Sequence, residues 1–206
     1  MSDALTRRIA HWEEVYRTRN PAEVSWYQAD PAVSLRLVEQ TGVGRSAPIL
    51  DIGGGASLLA DRLVASGYED VTVLDIASAA LAVVQERLGP AVRTITADVT
   101  RFEPSRRYAL WHDRAALHFL TDPEDQRAYV ERLARALQPG GHVILAAFAL
   151  DGPTRCSGLP VARYDAARMV ALLGPGFQLR TAETEVHLTP AGVPQHFQYG
   201  SFTSTA

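Results

Sequence analysis

Two hydrophobic rhythms alternate along this chain, and each change of rhythm marks an element. Leu5, Ile9, Trp12 and Tyr16 recur at spacings of four, three and four, which predicts an amphipathic helix over residues 4–18, ended by Asn20-Pro21. Asp30-Pro31 predicts a second helix, with Asp30 as N-cap and proline at the first helical position. It carries Val33, Leu37 and Val38 and stops near Gly42. The rhythm then shortens. Ile49, Leu50 and Ile52 form an apolar run suited to a strand buried on both faces. Gly53, Gly54 and Gly55 break it, and a helical pattern follows through Leu58, Leu59, Leu63 and Val64 to Gly67.

Strand and helix keep alternating from there. Strands are predicted over 71–74, 92–97 and 108–111, with a helix over 78–88 that Gly89-Pro90 closes. Asp122-Pro123-Glu124 opens a helix with Val130, Leu133 and Leu137 on one face, and Gln138-Pro139-Gly140-Gly141 ends it before a strand over 142–150. The segment 151–160 is too polar and too rich in glycine and proline to be core. A helix over 165–173 precedes two strand patterns, 177–188 and 196–203, whose short connection implies an antiparallel pair. Alternation of this kind predicts an α/β fold with a mostly parallel sheet, helices on both faces and a C-terminal antiparallel hairpin. The expected organisation is a single domain over 1–206, with a helical N-terminal addition at 1–44 and a Rossmann-like core at 45–206.

Composition narrows the function classes. At 206 residues the chain is long enough to bury a substantial core, and its net charge of −3 gives no global basic footprint for nucleic acid. Its one cysteine, Cys156, excludes an intrachain disulfide framework and a cysteine zinc cluster, which fits a reducing cytoplasm. None of the six histidines stands in a His-Glu-x-x-His pattern, so no metal site is expected. No run approaches the ~18 apolar residues of a membrane span, and residues 2–8 hold no apolar signal core. Oligomeric state leaves no trace in the sequence.

The strand, glycine turn and helix at 49–64 are how an open α/β sheet makes a nucleotide site. Glycine lets the backbone approach a ligand, and the next helix presents free N–H groups. Asp75 lies 24 residues after Asp51 at the end of the next strand, with Ile76 beside it, where a carboxylate can accept hydrogen bonds from both ribose hydroxyls. The dinucleotide fingerprint Gly-x-Gly-x-x-Gly fails here, because Leu58 stands at its third glycine. Asp51-Ile52-Gly53-Gly54-Gly55 fits Asp-x-Gly-x-Gly instead. This resembles motif I of the class I S-adenosylmethionine (SAM)-dependent methyltransferases, although Ser57 stands where that family often has a further glycine. Leu-x-Pro-Gly-Gly at 137–141 is similar to a second motif of that family.

The resemblance covers about residues 45–205 and implies a seven-stranded sheet, SAM as methyl donor and S-adenosylhomocysteine (SAH) as product. It implies that Asp51, Gly53, Gly54 and Gly55 hold the methionine end, Asp75 the ribose and Asp98 the adenine, with Val99 against the ring. It also implies a cover over the cofactor cleft from the N-terminal segment, with Trp26 and Tyr27 in a turn and Trp12 and Tyr16 on a helix. Those aromatics serve equally to fasten the helices to the core.

The acceptor must meet the methyl group near the end of the fourth strand, at His112-Asp113-Arg114-Ala115. That stretch lacks the Asp/Asn-Pro-Pro-Tyr/Phe of base-amino methyltransferases. Asp113-Arg114-Ala115-Ala116-Leu117 resembles Asp-Arg-x-Ala-Leu of thiopurine methyltransferase-like enzymes, which act on soft nucleophiles. It is also similar to Asp-Lys-Gly-Thr of small lysine methyltransferases. His112 and His118 are candidate general bases. Asp113 would orient His112, bind the methionine part, or receive a lysine ammonium, and Arg114 would pair an anionic substrate or hold Asp113. Cys156 is a thiol contact or inert packing. The predicted catalytic set is His112, Asp113 and Arg114. The expected function is methyl transfer to a small molecule, with a thiol or other soft nucleophile as acceptor. A protein lysine methyltransferase and a non-catalytic SAM-binding scaffold are the alternatives.

Overall fold

The computed structural model describes residues 3–205, so Met1, Ser2 and Ala206 of the predicted domain lie outside the described residues. Two helices, α1 (Asp3–Thr18) and α2 (Ala32–Thr41), precede the first strand. Then come β1 (Ile49–Ile52), α3 (Leu59–Ala65), β2 (Val71–Asp75), α4 (Ser78–Leu88) and β3 (Val92–Thr96). The second half holds β4 (Tyr108–Arg114), α5 (Pro123–Ala136), β5 (Leu137–Phe148), a short ribbon of β6 (Arg155–Cys156) and β7 (Leu159–Pro160), α6 (Ala166–Leu173), β8 (Phe177–Leu188) and β9 (Pro194–Ser204). The seven-stranded sheet has the order β3-β2-β1-β4-β5-β9-β8. Neighbouring strands from β3 to β5 pair in parallel, while β9 runs antiparallel to both β5 and β8.

The central strands are buried along their whole length, as their unbroken apolar runs require. Two apolar layers result. Leu37, Ile49, Leu63 and Val73 lie on one side of the sheet, and Leu50, Leu74, Leu133 and Phe202 on the other. The sheet order reverses at β1, so the crevice beyond the carboxyl ends of β1, β2 and β4 is a topological switch point, where open α/β sheets bind ligands.

Several predicted boundaries shift: β5 takes in residues 137–141, read from the sequence as the end of the preceding helix, and three other shifts have a local reason. Pro31, not Asp30, is the N-cap residue of α2, and no side chain caps that end. Helix α3 begins at Leu59, set back from the glycine bend, so its N-terminus does not open directly onto Gly53–Gly55. Strand β4 runs on through His112 and Asp113 to Arg114, because the polar side chains there find buried partners.

Asp113 shows why that extension holds. Its carboxylate is fully buried and accepts from the Ala116 N–H at 3.0 Å, the Leu117 N–H at 3.1 Å and the Tyr129 hydroxyl at 2.8 Å. The Tyr129 oxygen in turn accepts from the Trp111 indole at 2.9 Å. Asp113 thus ties the turn after β4 to α5. Between them Ala115 takes φ +69°, a left-handed conformation, at the position that glycine fills in Asp-Lys-Gly-Thr. Replacing Asp113 by Ala strands two N–H groups and a buried hydroxyl. We expect Asp113→Ala to lose about 2–4 kcal/mol in urea unfolding. A loss below about 1 kcal/mol would contradict this anchoring role.

Candidate functional site

The switch-point crevice holds two adjoining cavities. The first encloses about 710 Å³ of empty space out to its mouth and is lined by Asp75 and Ile76 after β2, Asp98 and Val99 after β3, and Arg114, Phe119 and Cys156. The second encloses about 560 Å³ and is lined by Asp51, Gly54, Ser57, Tyr27, Ser34 and His112. Tyr16, Trp26, Ile52, Gly53 and Arg114 line both and form the partition. Volumes of this size suit small-molecule sites.

Two of the glycines are required by contact. Gly53 takes φ +63°, and a Cβ on it would stand 2.6 Å from Ala116 Cβ. A Cβ on Gly54 would overlap the Asp51 carboxylate and stand 2.7 Å from Val73 Cγ1. Gly55 lies under Tyr16, whose hydroxyl would be 2.9 Å from a Cβ there.

The acidic groups of the crevice are incompletely satisfied. Asp75, 5% exposed, accepts one hydrogen bond from the Ala77 N–H at 2.9 Å. Burial pushes its pKa up to about 7 against that hydrogen bond, and the nearby Asp51 charge adds to the rise. Asp51 accepts from His112 Nδ1 at 2.7 Å through Oδ1, while its buried Oδ2 has no hydrogen-bond partner among the described residues. Asp98 Oδ1 accepts from the Thr100 N–H and hydroxyl, and its Oδ2 lies 3.1 Å from Arg8 Nη1 in an ion pair without hydrogen-bond alignment. A buried carboxylate with spare acceptor capacity fits hydroxyl, amine and ammonium donors.

Helix α1 roofs the first cavity. Arg8 reaches both Asp98 and Asp125, and Glu13 accepts from the Ser78 and Ala79 N–H groups, capping α4 from outside because Ala77 has no side chain able to do so. Trp12 packs edge-on against Trp26 at 5.8 Å and against Phe119 at 4.8 Å. Opposite the roof, Arg114 donates to the Trp26 carbonyl at 3.1 Å and the Tyr199 hydroxyl at 3.0 Å and lies over the Phe197 ring. Glu185 completes that corner, accepting from Tyr199 at 3.0 Å and Gln28 at 2.9 Å.

The predicted residues therefore divide. Gly53, Asp75, Ile76, Asp98, Val99, Trp26 and Arg114 meet at the first cavity, and Asp51, Gly54 and Tyr27 at the second. The predicted catalytic triplet is not brought together. His112 has both ring nitrogens engaged, by Asp51 and by Ser34 Oγ at 2.9 Å, so it is not a free base. Asp113 points into the α5 anchor and lines neither cavity. His118 is fully buried against Phe119 and Phe148, and burial pushes its pKa down to about 3, so it too is displaced from the base role. Cys156 lines the first cavity, and burial pushes its thiol up to about 11. Arg8, Ser34, Phe119, Glu185 and Tyr199 escaped sequence reading. Only Arg8 carried a signal, lying one helical turn before Trp12 on the face that packs inward. Among the described residues no cluster could hold a metal ion, and no helix is long and apolar enough to cross a membrane.

A glycine bend at the switch point, with acidic residues ending successive parallel strands, is a Rossmann-like arrangement. Comparison with known proteins narrows this. Residues 49–141 match the family model described as a methyltransferase domain. The mouse (Mus musculus) eEF1A lysine and N-terminal methyltransferase is 28% identical over 144 residues, 65% of this chain and 20% of that protein. The chain thus spans about a fifth of the length of that curated relative. The solved structure of Burkholderia thailandensis 1,6-didemethyltoxoflavin-N1-methyltransferase, with its substrate and SAH bound, superposes with a TM-score of 0.76 at 20% identity, covering 100% of this chain and 92% of that one. A structure concerned with conversion of a disulfide bond into a thioacetal group during echinomycin biosynthesis also gives 0.76, at 17% identity over 94% and 90%. The chain thus matches a methyltransferase-domain model over residues 49–141 and has the Rossmann-like fold of the Burkholderia methyltransferase.

Asp75 yields a test that needs no acceptor. Its folded pKa lies above the ~4 of an unfolded aspartate, so the folded protein holds the extra proton between about pH 4 and 7 and loses stability as pH rises through that window. Asp113, pushed up to about 6 by burial, acts in the same direction. We expect Asp75→Asn to stabilise the ligand-free protein by about 1–3 kcal/mol at pH 8 and much less at pH 5, read from thermal melts. An equal effect at both pH values would contradict the reading.

Proposed function

We propose that this protein transfers the methyl group of SAM to a small, soft-nucleophile acceptor held in the first cavity. SAM supplies a sulfonium-activated methyl group, displaced in line. Asp75 receives the ribose hydroxyls, Asp98 the adenine edge with Ile76 and Val99 against the ring, and Asp51 with the Gly53–Gly55 bend the methionine end. Residues 3–44 form the cover, and Trp26 and Tyr27 close the side where donor and acceptor meet. The site's task is to align the acceptor about 3 Å from the methyl carbon and to keep water out.

The observation that carries the small-molecule reading is the enclosure. Trp12, Trp26 and Phe119 interlock above the cavity, and Arg8 and Glu13 tie α1 down on either side of it. A polypeptide acceptor needs an open groove, which this roof opposes. Softness follows from chemistry. With His112 and His118 occupied or buried, neither candidate histidine stands free to take a proton, which suits an acceptor that attacks without losing one to them. Arg114 favours an anionic form such as a thiolate. The thioacetal neighbour and the didemethyltoxoflavin neighbour are named for small-molecule chemistry, whereas the mouse relative supports the protein lysine alternative. A buried free Cys156 and the modest negative charge support a cytoplasmic enzyme that works on neither nucleic acid nor membrane.

Radiolabelled SAM offered with a thiol panel and with denatured cell lysate separates the readings. We expect label in the small-molecule fraction and a fall in kcat/KM of about 10–100-fold in Arg114→Met. Counts bound to lysate protein would sink the small-molecule version. Saturable SAM binding with no transfer to any acceptor would favour a scaffold.

A further inference from the structure

The second cavity holds an unexplained polar chain. Ser34 in the middle of α2, His112 in β4 and Asp51 in β1 are 1%, 2% and 2% exposed, yet all three line that cavity. Ser34 Oγ lies 2.9 Å from His112 Nε2, and His112 Nδ1 lies 2.7 Å from Asp51 Oδ1. His112 Nδ1 faces a carboxylate oxygen, which accepts, so Nδ1 donates, and Nε2 meets the serine hydroxyl. Tyr199, on the far side, also reaches Ser34.

The order of groups is that of a nucleophilic serine triad, but what is left unsatisfied lies at the other end. Asp51 Oδ2 is buried without a hydrogen-bond partner, and Asp51 is the one acidic side chain lining this cavity among the described residues. A Cβ on Gly54 would overlap that oxygen, so glycine at this position keeps the space beside it clear. The chain therefore ends on a carboxylate with one oxygen fixed and one spare, which serves a cation and not a carbonyl group.

We infer that Ser34 and His112 are positioning residues: they lock one Asp51 oxygen so that the other receives the α-ammonium of the cofactor's amino-acid end, directly or through one water. The inference rests on the cofactor reading above and adds to it a role for two side chains that touch no substrate. Ser34 holds the ring at Nε2, His112 delivers its Nδ1–H to Oδ1, and Asp51 is kept from turning away. This also explains why a histidine at the end of β4 has no proton left to exchange with an acceptor.

Calorimetry with two ligands tests it: SAH, and 5′-deoxy-5′-methylthioadenosine, which has the same nucleoside and sulfur but no amino-acid end. We expect His112→Leu to weaken SAH by about 10- to 30-fold and methylthioadenosine by less than about twofold. His112→Asn, whose amide N–H can take the place of Nδ1, should recover most of the SAH affinity. Equal weakening of both ligands, or none for SAH, would overturn the inference, since a merely structural role cannot tell them apart. Should His112→Leu fail to fold, Ser34→Ala carries the same comparison, with a selective SAH loss of about 3- to 10-fold. Wild-type protein that binds neither compound would instead overturn the cofactor reading and the inference with it.

Discussion

Two carboxylates sit buried at the ends of neighbouring parallel strands, and the rest of the crevice is arranged around the cost of keeping them there. Asp51 and Asp75 are 2% and 5% exposed, and the Asp51 charge adds to the cost of ionising Asp75. A lone ionised carboxylate in such a place is costly unless hydrogen-bonded. The protein meets part of that need from within, with His112 for Asp51 and one backbone N–H for Asp75. What it leaves open fits hydroxyls on one side and an ammonium on the other. Side chains on Gly54 and Gly55 of the bend would meet the Asp51 and Asp75 carboxylates, and one on Gly53 would meet Ala116. Stability given up at one place in this way is a common mark of a binding site.

The N-terminal helices make the same crevice selective. Their ties are polar and reach far along the chain: Arg8 to Asp98 and Asp125, Glu13 to the start of α4, Gln28 to Glu185. Of these partners Asp98 lines the first cavity, so one tie of the cover ends in the site itself. Arg8 faces the Asp98 oxygen that an adenine amino group would use, and Arg114 holds the Trp26 turn by its carbonyl. Aromatic edges fill the space between these ties, giving a water-poor roof over a site with a few fixed charges.

The sheet, its hairpin and the glycine bend were legible because their signals are local. Apolar runs, the three glycines and the spacing of Asp51 and Asp75 lie within short windows of sequence. The catalytic triplet misled because a strand end cannot be read from composition alone. His112 and Asp113 look like a polar loop, yet each finds a buried partner, Asp51 for one and Tyr129 for the other, and β4 runs on through both. Ser34 was invisible for a similar reason: a serine inside a helix has no signature until the fold sets it against His112. Arg114 alone of the three faces both cavities, where the family resemblance led one to look.

On the cofactor reading proposed above, ribose hydroxyls reaching Asp75 draw it from its raised pKa toward the charged form. Titrating SAH into ligand-free protein at pH 6.5, in two buffers of different ionisation enthalpy, measures binding and proton exchange together. This account predicts saturable binding at one site with net proton release, as the ribose hydroxyls draw Asp75 to its charged form. Absence of saturation, or saturation with proton uptake, would contradict it.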